Sequence, residues 1–293
     1  MTIISILIAF ALCHFVRELG RLRQHGWLKG WVGAANRAFS EVPGWNSFGG
    51  FLVIMLLPLV GLALIYYVLA YSLGPAGAFL LALLVLIYTF GPRDLDTEVA
   101  AIVRAEDDEA RDAAIAGLLG GEPPEEEEAC KKALIDTVFR EALRRWFAVI
   151  FWFAVLGIVG ALLYRMVDWL NHGNYELSTE QRQLFRRMQQ VLDWPAAQLI
   201  TLALAIATDF DSVYSAWKQY HDEQGHGLFE GDNGFLLASA RCIVLTGHAA
   251  RDGYADQLGG SLASLKQAMD LVWRALGVWL TVLALLLLVD VIS

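Results

Sequence analysis

FGGFLVIMLLPLVGLALIYYVLAYSLGPAGAFLLALLVLIYTF, residues 48–90, carries no charged side chain. A helix needs about 20 mostly apolar residues to cross a bilayer, so this run is long enough for two crossings. Ser72-Leu73-Gly74-Pro75 punctuates it. A turn that short predicts that the flanking helices, 48–73 and 76–90, form an antiparallel hairpin, with a kink at Pro58. Lipid offers the backbone no hydrogen-bond partner, so helices are the form such segments take.

The same signal recurs at both ends, in 2–16 and 271–292, giving four spans. Arg17, Arg21 and Arg23 follow the first run and no basic residue precedes it. This order predicts a retained anchor with its N-terminus outside. Two other apolar runs are ambiguous: 146–164 is interrupted by Gly157 and Gly160, and 196–208 is about a third too short. Basic residues crowd the segments after the first and third spans, which places both in the cytoplasm and both termini in the periplasm. Full crossing of the two ambiguous runs would put Arg165, Arg182, Arg186 and Arg187 outside. The expectation is therefore that both runs dip into the membrane and return, with their irregular backbone buried in protein.

Composition agrees with lipid as the solvent: 57% of the 293 residues are hydrophobic and 18% charged, with mean hydropathy +0.48. The net charge of −9 owes much to the acidic stretch 106–128 and argues against a nucleic-acid partner. Cys13, Cys130 and Cys242 are too few and too scattered for a disulfide framework or a zinc site. The predicted fold is an all-α integral membrane protein with about four transmembrane helices, two embedded or re-entrant helices and a cytoplasmic helical portion. Its expected segments are N-terminal transmembrane helices (1–91), a cytoplasmic helical segment (92–145) with an acidic linker (106–128), a membrane-embedded core (146–208), a second cytoplasmic segment (209–270) and a final span (271–293). Within 131–147, Leu134, Val138, Ala142 and Phe147 recur at helical spacing, with Glu141 and Arg145 one turn apart on the polar side. No strand pattern and no internal repeat stands out.

Chemistry-bearing motifs are few. His221 and His226 lie five apart in a polar stretch read as a loop, a poor spacing for a shared metal, and P-loop, dinucleotide-binding and nucleophile-elbow patterns are absent. Arg93-Asp94 follows Gly91-Pro92 at the end of a span, where it reads as a snorkelling boundary with a helix start or as a polar cluster at a ligand cleft. Arg165 and Asp168, one turn apart, read as a local ion pair or as a charged site at membrane depth. Asp193 reads as a cap for a helix beginning near Pro195. Most tryptophans flank apolar runs, as interfacial anchors do.

Phe151-Trp152-Phe153, Leu156-Gly157-x-x-Gly160-Ala161-Leu162-Leu163-Tyr164-Arg165 and Val191-Leu192-Asp193-Trp194 resemble the AmpE/CobD superfamily, over about 91–208. AmpE-like proteins are inner-membrane modulators of β-lactamase induction linked to peptidoglycan recycling. The CobD/CbiB branch uses ATP to join an amino-alcohol phosphate to a cobyric acid side chain. Three departures from the cobalamin branch point to AmpE. Met166-Val167-Asp168-Trp169 replaces its N-T-x-D, Arg140-Glu141-Ala142-Leu143-Arg144 replaces its E-N-x-x-D, and Ala196-Ala197-Gln198-Leu199 replaces its P-x-R-L. Arginines in place of carboxylates would invert the charge of a pocket for magnesium and phosphates.

The resemblance thus implies a non-enzymatic AmpE-like modulator, with CobD-like ligation as the alternative and a transporter as a weaker second one, because no span shows a buried mid-helix charge. The candidate ligand-binding residues are Arg93, Asp94, Arg144, Arg165, Asp168 and Asp193, with no catalytic residue and no metal ligand. No cofactor follows from the AmpE reading; ATP and magnesium follow only from the CobD one. The expected partners are the lipid bilayer and an anionic cell-wall-derived or nucleotide ligand, with homo-oligomerisation left open.

Overall fold

The structure is a computed structural model and describes residues 5–9, 12, 26–90, 95–224, 232–245 and 260–292. Every regular element among these residues is a helix, so the all-α expectation holds. Ten are referred to below: α1 (Gly26–Phe39), α2 (Phe48–Thr89), α3 (Leu95–Arg104), α4 (Asp108–Leu119), α5 (Glu127–Ala142), α6 (Ala148–His172), α7 (Thr179–Ala207), α8 (Phe210–Gln224), α9 (Gly234–Leu245) and α10 (Gly260–Ile292). A π-helical turn, Leu143–Phe147, joins α5 to α6. Among the described residues, four helices are long and apolar enough to cross a membrane: Phe48–Thr89, Glu127–His172, Thr179–Ala207 and Ser261–Leu285. Of the span expected at 2–16, only 5–9 and 12 fall within the described residues.

The chain forms two compact units. One comprises Met1–Pro92 and Ala148–Leu192; the other comprises Arg93–Phe147 and Asp193–Ser293.

In the first unit, α2 and α6 are each folded back on themselves at a glycine. Gly74 has φ 63° and ψ −154°, and Gly157 has φ 64° and ψ −149°, a region of backbone space that side chains make inaccessible. The reversal shows in what a methyl group would meet three residues later. A Cβ on Gly77 would sit 2.7 Å from the Leu69 carbonyl oxygen, and one on Gly160 would sit 2.2 Å from that of Trp152. Eight residues of unbroken helix would separate such atoms by about 12 Å. The hairpin expected at Ser72-Leu73-Gly74-Pro75 is therefore present, and the interruption noted at Gly157 is a second one. The arms differ in their surroundings. Most of α2 is open to its environment, whereas in the returning arm of α6 the stretch from Gly160 to Leu170 is buried at every position but Leu163.

α7 begins with a reciprocal cap. The Ser178 hydroxyl accepts from the Gln181 backbone N–H at 3.1 Å, and the Gln181 side chain accepts from the Ser178 N–H at 3.0 Å. The helix then runs through Pro195 to Ala207. Asp193 therefore does not cap a helix beginning there. It sits inside α7 and is buried, because the upstream turns carry the helix past the proline.

In the second unit, α10 packs on α5 and α3, and α9 packs on α5 and α8. Leu134, Ile135, Val138, Phe139 and Ala142 on α5, and Leu265, Ala268, Val272, Ala275 and Leu276 on α10, are all buried. Their three- and four-residue spacing is the periodicity that makes one helical face apolar.

The stretch 106–128 is more ordered than an acidic linker. The Asp107 side chain accepts from the Ala110 N–H at 2.6 Å, and Gly120 closes α4 in the left-handed conformation, φ 72°. Acidic side chains in the first turn suit the helix dipole, so the charges that suggested a solvated chain also start a helix. Similarly, His221 lies in the last turn of α8 rather than in a loop, with Nδ1 2.8 Å from the Trp217 carbonyl oxygen.

Candidate functional site

Each unit contains a charged cluster. In the first, Arg165 is 1% exposed and Asp168 4%. Arg165 Nε donates to the Thr89 carbonyl oxygen at 2.5 Å and Nη1 donates to Asp168 Oδ2 at 3.0 Å. Thr89 ends α2, where carbonyls lack intrahelical partners. The guanidinium thus closes the end of one hairpin while pairing within the other. Asp168 Oδ1 lies 3.4 Å from His172 Nδ1, and His172 is about half exposed. The local ion pair is thus present, and it is buried within the returning arm of α6. The one-turn spacing places both groups on one helical face.

Near the pair, the Trp27 indole donates to the Tyr88 hydroxyl at 2.5 Å. Tyr88 meets Trp169 edge-on at 5.5 Å between ring centroids. In the loop after α6, burial pushes the Tyr175 phenol up to about 12, with Tyr88 adding to the effect. These contacts fix ring positions and leave little freedom around Arg165.

In the second unit, the π-helical turn carries Arg144 and Arg145, and both reach Glu141. Arg144 Nη1 donates to Glu141 Oε1 at 3.0 Å, Arg145 Nε to Glu141 Oε2 at 2.7 Å, and Arg145 Nη1 to Glu98 Oε2 on α3 at 2.8 Å. Beside them, the Trp273 indole donates to Asp96 Oδ1 at 3.3 Å, and Trp146 packs on Trp273 at 5.4 Å. All four salt-bridged side chains retain between 12% and 19% exposure, so the network is bound into the unit yet still reachable. A π-turn inserted in a helix is a feature often found where function fixes side chains in unusual directions.

The six sequence-predicted residues do not converge on one site. Arg165 and Asp168 meet in the first unit. Arg144 belongs to the network of the second, and Asp193 is buried in α7. Arg93 and Asp94 lie outside the described residues. Asp96, Glu98, Arg145 and Trp273 were not singled out. Glu141 and Arg145 were legible only as a helix-face pair, and the missing partner, Glu98, sits 47 residues upstream.

The charge inversion inferred from Arg140 and Arg144 does not arise. Arg140 is exposed, and the cluster brings three carboxylates, Asp96, Glu98 and Glu141, against two guanidiniums. An exchange that looks basic in one string is balanced by a carboxylate from another helix.

Comparisons with known proteins point the same way. The chain is 28% identical over 294 residues to cobalamin biosynthesis protein CobD of Stutzerimonas stutzeri (strain A1501), an alignment covering 94% of this chain and 90% of that one. No solved structure matches. The profile of the family described as CobD/Cbib protein matches residues 7–227. The expectation of an AmpE-like modulator of β-lactamase induction is thereby overturned, because family and relative both stand on the cobalamin side. This chain belongs to the CobD/CbiB protein family.

Proposed function

We propose that this protein acts in cobalamin biosynthesis as a membrane-bound, ATP-dependent adenosylcobinamide-phosphate synthase, forming an amide between an amino-alcohol phosphate and a carboxylate side chain of a cobyric acid. The observation that carries this reading is the family match, which extends through most of the chain, together with a relative named for the same pathway. The network of Glu98, Glu141, Arg144 and Arg145 is the site it assigns. Amide formation from a carboxylate and an amine must be driven, and bound ATP supplies the activating phosphoryl group. Guanidinium forks suit phosphate oxygens, and Glu98 and Glu141 hold two such forks in place before any ligand arrives.

Magnesium fits this site only as the companion of a polyphosphate. Among the described residues no group of three or more His, Cys, Asp or Glu is placed to hold a metal ion. A phosphate-bound magnesium needs only one or two protein carboxylates, and Asp96, Glu98 and Glu141 offer them. In this reading the protein lies in a bacterial inner membrane with both termini periplasmic, which puts the residues 92–145 and 209–270 in the cytoplasm, where ATP is found. Lipid and anionic substrates are its partners.

The test is direct. Protein purified into lipid nanodiscs is given ATP, magnesium, an amino-alcohol phosphate and a cobyric acid, and the corrinoid product is weighed by mass spectrometry. Amide formation coupled to nucleotide hydrolysis is expected, and deletion of the gene is expected to make the cell depend on added cobalamin. Folded protein that makes no amide, in a cell that still makes cobalamin without it, would overturn the assignment.

A further inference from the structure

Away from its salt-bridge network, the second unit holds an open groove of about 650 Å³ between α5, α8 and α9. The middle partner is α9, which packs on both of the others. Along α8 the lining positions Asp211, Ser215, Gln219 and Glu223 fall four residues apart, on one helical face. Both acids of the lining come from this helix. Both cations come from elsewhere, Lys132 from α5 and Arg241 from α9.

Cys242 fixes the register of α8 against α9. Its Sγ lies 3.9 Å from the Ser212 carbonyl oxygen, so its neighbour Arg241 lies opposite the first turns of α8, where Asp211, Ser212 and Ser215 stand. Glu223 is about three turns farther along α8, and there it accepts from the Gln219 amide at 2.7 Å. Arg241 Nε lies 2.8 Å from Asp136 Oδ1, which leaves the two Nη groups of the fork. Lys132 and Asp211 are both exposed. Among the described residues no ion pair joins Lys132 or Arg241 to Asp211 or Glu223. Opposite charges therefore line one groove without reaching each other.

Such a groove selects by charge. A ligand of one sign would satisfy some of these side chains and be repelled by the rest, whereas one that carries both signs pairs with each. The donors are an ammonium, a guanidinium fork and the hydroxyls of Ser212 and Ser215. A phosphate ester matches them, with nearly two negative charges and three strong acceptor oxygens at neutral pH. A primary ammonium matches the Asp211 carboxylate. The volume lies within the range of a small-ligand pocket.

We infer that this groove is a binding site for the phosphate ester of a short amino alcohol, with Lys132, Arg241 and the two serines on the phosphate and Asp211 on the ammonium. It is apart from the network, since Lys132 precedes Glu141 by nine residues, about 14 Å along α5. The inference stands on the groove's own charges, whether or not the chain makes a cobamide precursor. Two sources supply this chemistry: a free amino-alcohol phosphate, as in the reaction proposed above, and the headgroup of phosphatidylethanolamine. Binding makes and breaks no covalent bond.

The experiment titrates full-length protein in phosphatidylglycerol nanodiscs with O-phosphoethanolamine, followed by calorimetry without ATP. One saturable site is expected, with ethanolamine or inorganic phosphate alone weaker by about tenfold or more. Lys132→Ala and Asp211→Asn, both at exposed positions, should each weaken the probe by about tenfold and leave the melting temperature in place. Phosphatidylethanolamine added to the nanodisc separates the sources: competition with the probe assigns the site to the lipid headgroup, and unchanged affinity assigns it to the soluble ester. A chain that binds the probe yet makes no amide would sink the proposed function and leave the groove standing. No saturable binding, equal affinity for inorganic phosphate alone, or equal binding by the wild type and both folded variants would overturn the inference.

Discussion

The two charged clusters use the same chemistry for opposite ends. Arg165 and Asp168 are sealed from solvent, and the guanidinium spends its hydrogen bonds on a helix end and a neighbour one turn away. Glu98, Glu141, Arg144 and Arg145 make bonds of similar length but stay reachable. A buried ion pair is costly to create and more costly to break by halves, whereas a partly exposed one holds less of the fold. The comparison teaches that burial, not the presence of charge, separates the sealed pair from the network that solvent still reaches.

The strongest way to break the contrast is Arg165→Met. It takes the guanidinium from the buried Asp168 carboxylate and from the Thr89 carbonyl, at an expected cost of about 3–5 kcal/mol, read as a large fall in thermal stability in detergent. Adding Asp168→Leu should restore much of that loss. If the single variant melts with the wild type, the pair is not structural.

In the second unit, Arg145→Ala removes charge-assisted bonds to two carboxylates in the apo protein, at a cost of about 1.5–3 kcal/mol of stability, less than for Arg165. Its loss of charge-assisted contact with a bound phosphate costs about 1.5–3 kcal/mol, or roughly 10- to 100-fold in the rate of amide formation. Equal rates in the two proteins would remove this network from the site.

The glycine fold-backs give an intermediate effect. Gly157→Ala places a side chain at φ 64° and should cost about 1–3 kcal/mol. Gly160→Ala, at an ordinary helical φ, forces a Cβ onto the Trp152 carbonyl and should destabilise as well. A Gly157→Ala protein of wild-type stability would show that the chain does not turn there.

The smallest effect is one of pH. The Tyr220 hydroxyl donates to Asp232, and burial followed by that carboxylate raises its pKa to about 12 from 10.0. A phenol that holds its proton more tightly when folded stabilises the fold fully below pH 10 and loses that contribution as pH rises toward about 12. Partial exposure keeps the contribution small. Tyr220→Phe should flatten this part of the alkaline unfolding curve; an unchanged slope would place the titration elsewhere.

The sequence made the membrane class and the hairpin turn at Gly74-Pro75 legible, because hydropathy and glycine-proline punctuation act locally, while Gly157 showed only as an interruption. Spacing also revealed the Arg165–Asp168 pair, since one helical turn suffices to place it. Local patterns misread Asp193, because Pro195 looks like a helix start when the capping box at Ser178 and Gln181 is not weighed against it. The acidic run 106–128 misled in the same way, its carboxylates reading as disorder when Asp107 caps a helix. The network of the second unit was hidden because Glu98 and Glu141 come together only through packing of α3 against α5. Reading Arg140 and Arg144 in one string, apart from the Glu98 carboxylate that meets Arg145, made the region look basic and helped to send the functional reading to AmpE.

One measurement bears most directly on the whole account: amide formation by wild-type and Arg145→Ala protein in nanodiscs, followed alongside their melting temperatures. The account predicts product from the wild type and a severe loss of rate in a variant that still folds and melts above the assay temperature. Absence of product from well-folded wild-type protein, with ATP, magnesium and both substrates present, would contradict it.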